Sequence, residues 1–111
     1  MRVTSSLWAG AYVRRCYSKG AVATVARRGA EEAGAIFVIV ERLDGTADLY
    51  GPAPQSSFAE ARPSDRRFER IMEREALEAV TARLKRESNF DPDLWIVAVE
   101  DRDGRPFLET T

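Results

Sequence analysis

The chain has 111 residues, of which 44% are hydrophobic and 32% charged, and its formal net charge is −1. This composition predicts one soluble, folded domain spanning residues 1–111 and excludes a disordered segment. No apolar run approaches the ~20 residues that a membrane-spanning helix needs, and we expect no secretory signal in this sequence. Cys16 is the only cysteine, which excludes an intramolecular disulfide and favours a cytoplasmic protein.

The basic and acidic residues are unevenly distributed along the chain. Residues 1–30 carry six basic side chains and no acidic one, whereas the other 81 residues hold 11 basic and 18 acidic side chains. We expect an electropositive surface that attracts an acidic protein, a phosphate, a nucleic acid or the chain's own acidic half. The sequence pI of about 5.5 argues against a dedicated nucleic-acid module.

The first predicted element is a helix over residues 6–19, capped by the hydroxyl of Thr4 or Ser5. Gly20 then supplies a left-handed C-terminal cap. The helical spacing predicts an apolar face made of Leu7, Trp8, Ala11, Tyr12 and Cys16.

Three strands and a long loop follow this helix. The strands are predicted over residues 21–26, 35–40 and 46–50, and Asp44-Gly45 indicates a hairpin between the last two. The second strand is apolar on both faces, so the sheet is expected to be covered on both sides. Residues 51–64, with three prolines, are expected to form a loop.

The C-terminal half is predicted to contain a helix and two more strands. The apolar spacing indicates a helix over residues 65–88, and residues 94–99 form a second doubly apolar strand. Asp103-Gly104 indicates a hairpin into a last strand at residues 107–108, placed at a sheet edge by Pro106. The predicted order is α-β-β-β-α-β-β.

These elements define the expected fold class. We predict an α/β or α+β domain with a mixed sheet of about five strands and one helix on each face.

Few residues point to catalysis. Histidine is absent, which removes the commonest general base and metal ligand, and we expect no metal, no cofactor and no assignable catalytic residue.

Cys16 is interpreted as a buried core residue, with a reactive thiol as the alternative. Asp91 and Asp93 are interpreted as turn residues, with a carboxylate pair as the alternative. Trp8 and Trp95 are interpreted as core residues. For Trp8 the alternative is a membrane-surface or partner-binding edge that it forms with Leu7, beside Arg14 and Arg15.

One anion-binding site is predicted. Ser64 is expected at the N-terminus of the second helix, where free N–H groups favour an anion. Two loops that each leave a strand carry the arginines, and the predicted site consists of Arg27, Arg28, Ser64, Arg66 and Arg67. The alternative is that these arginines are solvated and paired with nearby glutamates.

The chain resembles a family of bacterial proteins of about this length, known only as a domain of unknown function. The resemblance covers nearly the full length and rests on these segments: Leu7-Trp8, Arg14-Arg15, Arg27-Arg28-Gly29, Ala33-Gly34-Ala35, Leu49-Tyr50-Gly51-Pro52 and Asp91-Pro92-Asp93-Leu94-Trp95. It implies a stand-alone protein without a transit peptide, and it brings no activity or site residues.

The sequence leaves the function unknown. It favours a non-enzymatic binding or regulatory module that contacts an acidic protein through the basic N-terminal third. The alternative is a small enzyme or sensor that binds a phosphorylated or carboxylated metabolite through the loop arginines. A homodimer is also compatible with a short chain that has edge strands.

Overall fold

A computed structural model describes residues 3–54 and 66–111 of the chain. The two helices are α1 (Ser5–Ser18) and α2 (Leu77–Phe90). The five strands are β1 (Val22–Arg27), β2 (Ile36–Glu41), β3 (Thr46–Pro52), β4 (Phe68–Ala76) and β5 (Trp95–Glu100).

The strands form one mixed sheet in the order β1-β5-β2-β3-β4. The β2–β5 pair is parallel, and the other three pairs are antiparallel. We call the edge where β1 and β3 end and β2, β4 and β5 begin the loop end, and the opposite edge the hairpin end. The five-stranded mixed sheet in a single α+β domain confirms the predicted fold class.

One helix packs on each face of the sheet, as predicted. On one face, the α1 residues Tyr12 and Cys16 are buried against Val38, Val97 and Trp95. On the other face, the α2 side chains contact a second cluster that includes Val80, Leu84, Phe37, Ile39 and Leu49. Because β2 contributes to both clusters, its residues from Ile36 to Val40 are all buried, which explains why this strand has no polar face.

Helix α1 begins and ends where its capping residues predict. The Thr4 hydroxyl accepts a hydrogen bond from the Leu7 N–H at 3.1 Å, and Gly20 has a φ of 89°, a left-handed conformation that glycine adopts without a steric penalty. The prediction for Leu7 and Ala11 is wrong, because both side chains are exposed. The sheet covers only a narrow stripe of the helix.

The predicted helix over residues 65–88 is wrong in its first half. Residues Phe68–Ala76 form β4, and α2 begins only at Leu77. The strand pairs with β3 over most of its length, with register shifts at two positions. Long-range hydrogen bonding to β3 therefore overrides the local preference of a segment rich in Glu, Arg and Met, which favour helices.

The predicted strand at residues 107–108 is also absent. Gly104 does form a turn, with a φ of 71°, but the chain beyond it runs over α1 instead of joining the sheet as a strand. The Tyr12 hydroxyl donates to the Pro106 carbonyl at 2.6 Å, and an Arg15 N–H donates to the Phe107 carbonyl at 3.3 Å. These hydrogen bonds occupy backbone carbonyl groups that would otherwise pair with a neighbouring strand. The segment ends in a single bridge between Thr110 and Phe68.

The predicted loop at residues 51–64 overlaps the end of β3, which continues to Pro52. The rest of that prediction, from residue 55 onward, lies outside the described residues.

Candidate functional site

The loop end brings together several of the sequence segments singled out above. Gly29 and Gly34 lie directly against the turn that precedes β5, and a Cβ atom at either glycine would come within 2.1 or 2.3 Å of the Asp93 carbonyl oxygen. The same oxygen accepts a hydrogen bond from the Ala30 N–H at 2.8 Å, and the Trp95 indole donates to the Ala30 carbonyl at 2.8 Å. Residues 27–34 therefore form one packed unit with residues 91–95.

Arg27 and Arg28 have different roles in this unit. The Arg27 guanidinium donates to the Pro92 carbonyl at 3.0 Å and to the Leu94 carbonyl at 2.7 Å, so it holds the turn before β5 in place. The exposed Arg28 side chain lies over the Trp95 ring, 4.9 Å from its centroid, at a distance typical of a cation–π contact. Arg28 is thus the more accessible of the two cations.

The second predicted pair of arginines starts from the other edge of the sheet. Arg66, half-buried, donates to the Val3 carbonyl at 3.3 Å and to the Ser5 hydroxyl at 3.2 Å, and the Arg67 side chain is exposed. The two arginine pairs lie at the same end of the sheet, but β5, β2 and β3 separate the strands that carry them. Ser64 lies outside the described residues.

The helix N-terminus expected beside Ser64 is not at the loop end. Helix α2 starts at Leu77, whose N–H donates to the Gly45 carbonyl in the hairpin, so its positive end faces the hairpin end. Helix α2 therefore supplies no positive helix end at the loop end. The N-terminus of α1 does lie there, because the Ser5 N–H donates to the Glu32 carbonyl in the loop after β1.

The outer face of α1 exposes two large side chains on one helix, and it consists of Leu7, Gly10, Ala11, Arg14, Tyr17 and Ser18. Leu7 is 65% exposed and Tyr17 is 56% exposed, and the helical spacing aligns them with Arg14 between them. The Arg14 guanidinium lies back over Gly10, at 3.6 Å from the position that a Cβ atom there would take. This face thus presents two large side chains around one cation.

Within the described residues, no carboxylate forms a salt bridge with a cation of the N-terminal third. Among residues 3–54 and 66–111, the salt bridges are Arg42–Asp48, Arg70–Glu73, Arg83–Glu87 and Arg105–Asp101, and none involves Arg14, Arg15, Lys19, Arg27 or Arg28. These cations form two groups rather than one patch, because β1 separates the end of α1 from Arg27 by about 17 Å.

The interpretation of Cys16 and the two tryptophans as packing residues agrees with the structure, with one difference. Cys16 is fully buried, and burial raises the pKa of its thiol, which disfavours a reactive thiolate. Trp95 is also buried. Trp8 is only half-buried and stacks on Tyr12, with the ring centroids 4.9 Å apart, so it connects the α1 core face to the surface.

The Asp91-Pro92-Asp93 segment is a turn, as predicted. The Asp93 N–H donates to the Asp91 carboxylate at 3.0 Å, which is the local hydrogen bond typical of aspartate in turns. In the part of the chain that the structure describes, no group of three or more potential metal ligands occurs.

The sequence reasoning missed a buried ion pair at the hairpin end. The Asp48 side chain is fully buried and forms a salt bridge with Arg42 at 2.7 Å, and it also accepts the Arg74 N–H at 2.7 Å. Arg74 has a φ of 52° at this point. The signal for this cluster was an aspartate in the middle of a strand, where a charge needs a buried partner.

The geometry defines a small α+β protein in which residues 27–34 pack against residues 91–95 at the loop end of a mixed sheet. Residues 3–109 match the family model DUF1491, described as a protein of unknown function. The chain belongs to this family, and the family has no assigned function. No described helix is both long enough and apolar enough to cross a membrane.

Three solved structures are similar to this chain. A crystal structure of a DUF1491 family protein from Caulobacter crescentus CB15 has a TM-score of 0.82 at 35% identity, covering 98% of this chain and 99% of that one. An NMR structure of a family protein from the same organism has a TM-score of 0.81 at 35% identity, covering 100% and 98%. A solution structure of an A. tumefaciens protein has a TM-score of 0.79 at 45% identity, covering 90% and 86%. No curated protein matches the chain.

Proposed function

We propose that this protein is a non-enzymatic binding or regulatory module that contacts an acidic protein through the outer face of α1. The observation that carries the proposal is the exposure of Leu7 and Tyr17 on either side of Arg14, a cation with no carboxylate partner among the described residues. Tyrosine and arginine are among the residue types that contribute most to protein interfaces, and Leu7 adds exposed apolar area beside them.

The charge of the helix supports an acidic partner over a basic one. Helix α1 contains no acidic residue, and Arg14, Arg15 and Lys19 lie on or next to its last two turns. An acidic surface would be attracted to this helix, whereas a basic surface would be repelled. The absence of a disulfide partner for Cys16 supports a cytoplasmic location for the encounter.

The test is capture of proteins from a bacterial extract on the immobilised native chain at low salt. We expect an acidic protein to be retained and to be released at about 1 M salt, where the Debye length is about 3 Å. Polyglutamate should compete with it. Arg14→Glu should abolish retention, whereas Arg86→Glu, an exposed reversal on α2, should leave it unchanged. Retention that survives Arg14→Glu, or no retained protein, would refute the proposal.

We propose as a second candidate that the loop end binds a phosphorylated or carboxylated metabolite through Arg27, Arg28, Ser64, Arg66 and Arg67. The supporting observation is that both arginine pairs lie at one end of the sheet. Here, Arg28 and Arg67 supply the accessible charge, because Arg27 is engaged by two carbonyl groups.

This candidate is tested by the melting temperature in the presence of inorganic phosphate or citrate. A bound anion stabilises the folded state by mass action, so the melting temperature should rise for the native chain and for Arg86→Ala. It should not rise for a variant with both Arg28→Ala and Arg67→Ala. An equal rise in all three proteins would indicate a general salt effect and would rule this site out.

A further inference from the structure

A groove of about 440 Å³ lies between α2 and the sheet. Helix α2 packs over β3 and β4, which form one half of this face of the sheet. The other half, formed by β1 and β5, is not covered by α2, and this difference creates the groove. The side chains on its floor are small or apolar, and they belong to Ala26, Ile39, Ile96 and Ala98. We call this feature the α2 groove.

The apolar floor of the α2 groove continues to the edge of the sheet. Strand β1 is an edge strand, and Val22, Thr24 and Ala26 are exposed on the side that faces the groove. Val22 alone is 50% exposed. No other described element lies over this half of the sheet. An open apolar sheet face next to a free edge strand is a surface that proteins usually cover by association.

The charged residues around the α2 groove are segregated, and they form no salt bridge within residues 3–54 and 66–111. Glu41 and Glu100 are neighbours in the parallel register of β2 and β5 at the hairpin end, where like charges on adjacent strands repel each other. Lys85 lines the groove further along α2, about 12 Å from the start of the helix. Neither glutamate forms a salt bridge with Lys85 or with another described cation.

We propose that a second copy of this chain packs on the α2 groove about a two-fold axis, which places Lys85 of each copy beside Glu41 and Glu100 of the other. A two-fold interface brings the same surface of both subunits together. A groove with carboxylates at one end and an ammonium group further along is complementary to its own inverted copy. A uniformly acidic or basic partner would match only one of these charges and would repel the other.

This dimer is independent of the proposed function. The outer face of α1 lies on the opposite side of the sheet from α2, so both surfaces are accessible at once. Arg14→Glu should leave the dimer intact, and the groove variants below should leave the capture of an acidic protein possible.

The first test measures mass by light scattering over a range of protein concentrations. The native chain should approach twice the 12.4 kDa of one chain. Lys85→Glu should raise the dimer dissociation constant about tenfold, because the reversed charge faces two glutamates and the two-fold axis repeats this repulsion in both halves of the interface. Glu41→Lys combined with Glu100→Lys should do the same, and the variant with all three reversals should dimerise like the native chain. Arg86→Glu is the matched control and should dimerise normally.

The second test needs no substitution. Lys19 and Lys85 are the only lysines. Carbodiimide cross-linking of a mixture of ¹⁴N- and ¹⁵N-labelled chains should therefore join Lys85 of one chain to Glu41 or Glu100 of a chain that carries the other isotope. A native chain that stays monomeric at millimolar concentration, or inter-isotope cross-links confined to Lys19, would overturn the proposal. So would a triple reversal that fails to restore a folded dimer.

Discussion

At Gly29 the lack of a side chain allows the loop after β1 to lie against the turn before β5. A methyl group there would meet the Asp93 carbonyl oxygen at 2.1 Å and the Leu94 carbonyl oxygen at 2.5 Å. Both obstacles are backbone atoms, which cannot rotate away as a side chain can. We therefore expect Gly29→Ala to lower the free energy of unfolding by about 1–3 kcal/mol, the usual cost of overpacking.

Urea denaturation measures this difference, and Gly10→Ala is its control. Gly10 lies in α1, where a Cβ atom would make only an ordinary contact with the Arg14 side chain. That substitution should stabilise the protein by about 0.5–1 kcal/mol, because alanine favours a helix. Equal effects of the two substitutions would show that packing against Asp93 does not constrain residue 29.

Asp101 provides a pH-dependent contribution to stability. Hydrogen bonds from the Arg105 guanidinium and from the Arg105 N–H lower the pKa of this carboxyl. Because the folded-state pKa is below the unfolded value of about 3.9, the stabilisation is present at neutral pH and is lost as the pH falls through the folded-state pKa.

We expect Asp101→Asn to destabilise the protein by about 1 kcal/mol at pH 7, since partly buried hydrogen bonds to a charged group are weakened and solvent screens the half-exposed Arg105. The difference from the native chain should shrink as the pH falls below about 4. Urea denaturation at a series of pH values checks this, with Asp103→Asn, an exposed neighbour, as the control. A difference that stays constant down to pH 2 would contradict the assignment.

At the level of elements, the boundary between β4 and α2 shows where local sequence fails as a guide. The caps of α1, the doubly apolar strands β2 and β5 and the Asp44-Gly45 hairpin follow from short-range patterns, and they were predicted correctly. The N-terminal cap predicted for the second helix at Ser64 was wrong, because α2 begins at Leu77. The segment Phe68–Ala76 is different, because its strand conformation depends on β3, about twenty residues earlier. The apolar spacing of Phe68, Ile71 and Met72 fits a helix as well as a twisted, bulged strand.

This reasoning predicts that the strand conformation of β4 is lost without β3. A peptide of residues 66–90 in aqueous trifluoroethanol, which favours helices, should show helical NMR chemical shifts from Phe68 onward. In the intact protein the same residues should show strand shifts. Strand shifts in the isolated peptide would mean that the local sequence itself encodes β4.

Across the whole molecule, the two faces of the sheet are covered in different ways. Helix α1 lies over β1 and β5 on one face, and the C-terminal segment extends this cover, with Phe107 and Leu108 packed against the same cluster. The fold class depends on these layers, so the apolar patterns of the sequence were enough to predict it. The packing at the loop end could not be predicted, because the Arg27 guanidinium donates to backbone carbonyls, which every residue type has.

Removal of residues 106–111 should therefore destabilise the whole domain. Phe107 and Leu108 are partly buried, and the Tyr12 hydroxyl would lose its partner at Pro106. We expect a loss of about 2–3 kcal/mol from burial alone, roughly half the value for two fully buried side chains. Chemical denaturation checks this, with Thr111→Ala as the control, because that variant keeps the backbone N–H that donates to Phe68. A truncated chain as stable as the native one would show that this segment does not seal the core.

The C-terminal segment also brings both ends of the described chain to the same place. Thr111 donates its N–H to the Phe68 carbonyl, and the Val3 carbonyl accepts a hydrogen bond from Arg66, so both ends lie at the loop end near Arg66 and Arg67. A purification tag fused to either terminus would lie close to these arginines and would hinder the approach of an anion to them. An insertion at Leu43–Gly45, an exposed tip at the far end of the sheet, would leave that surface unobstructed.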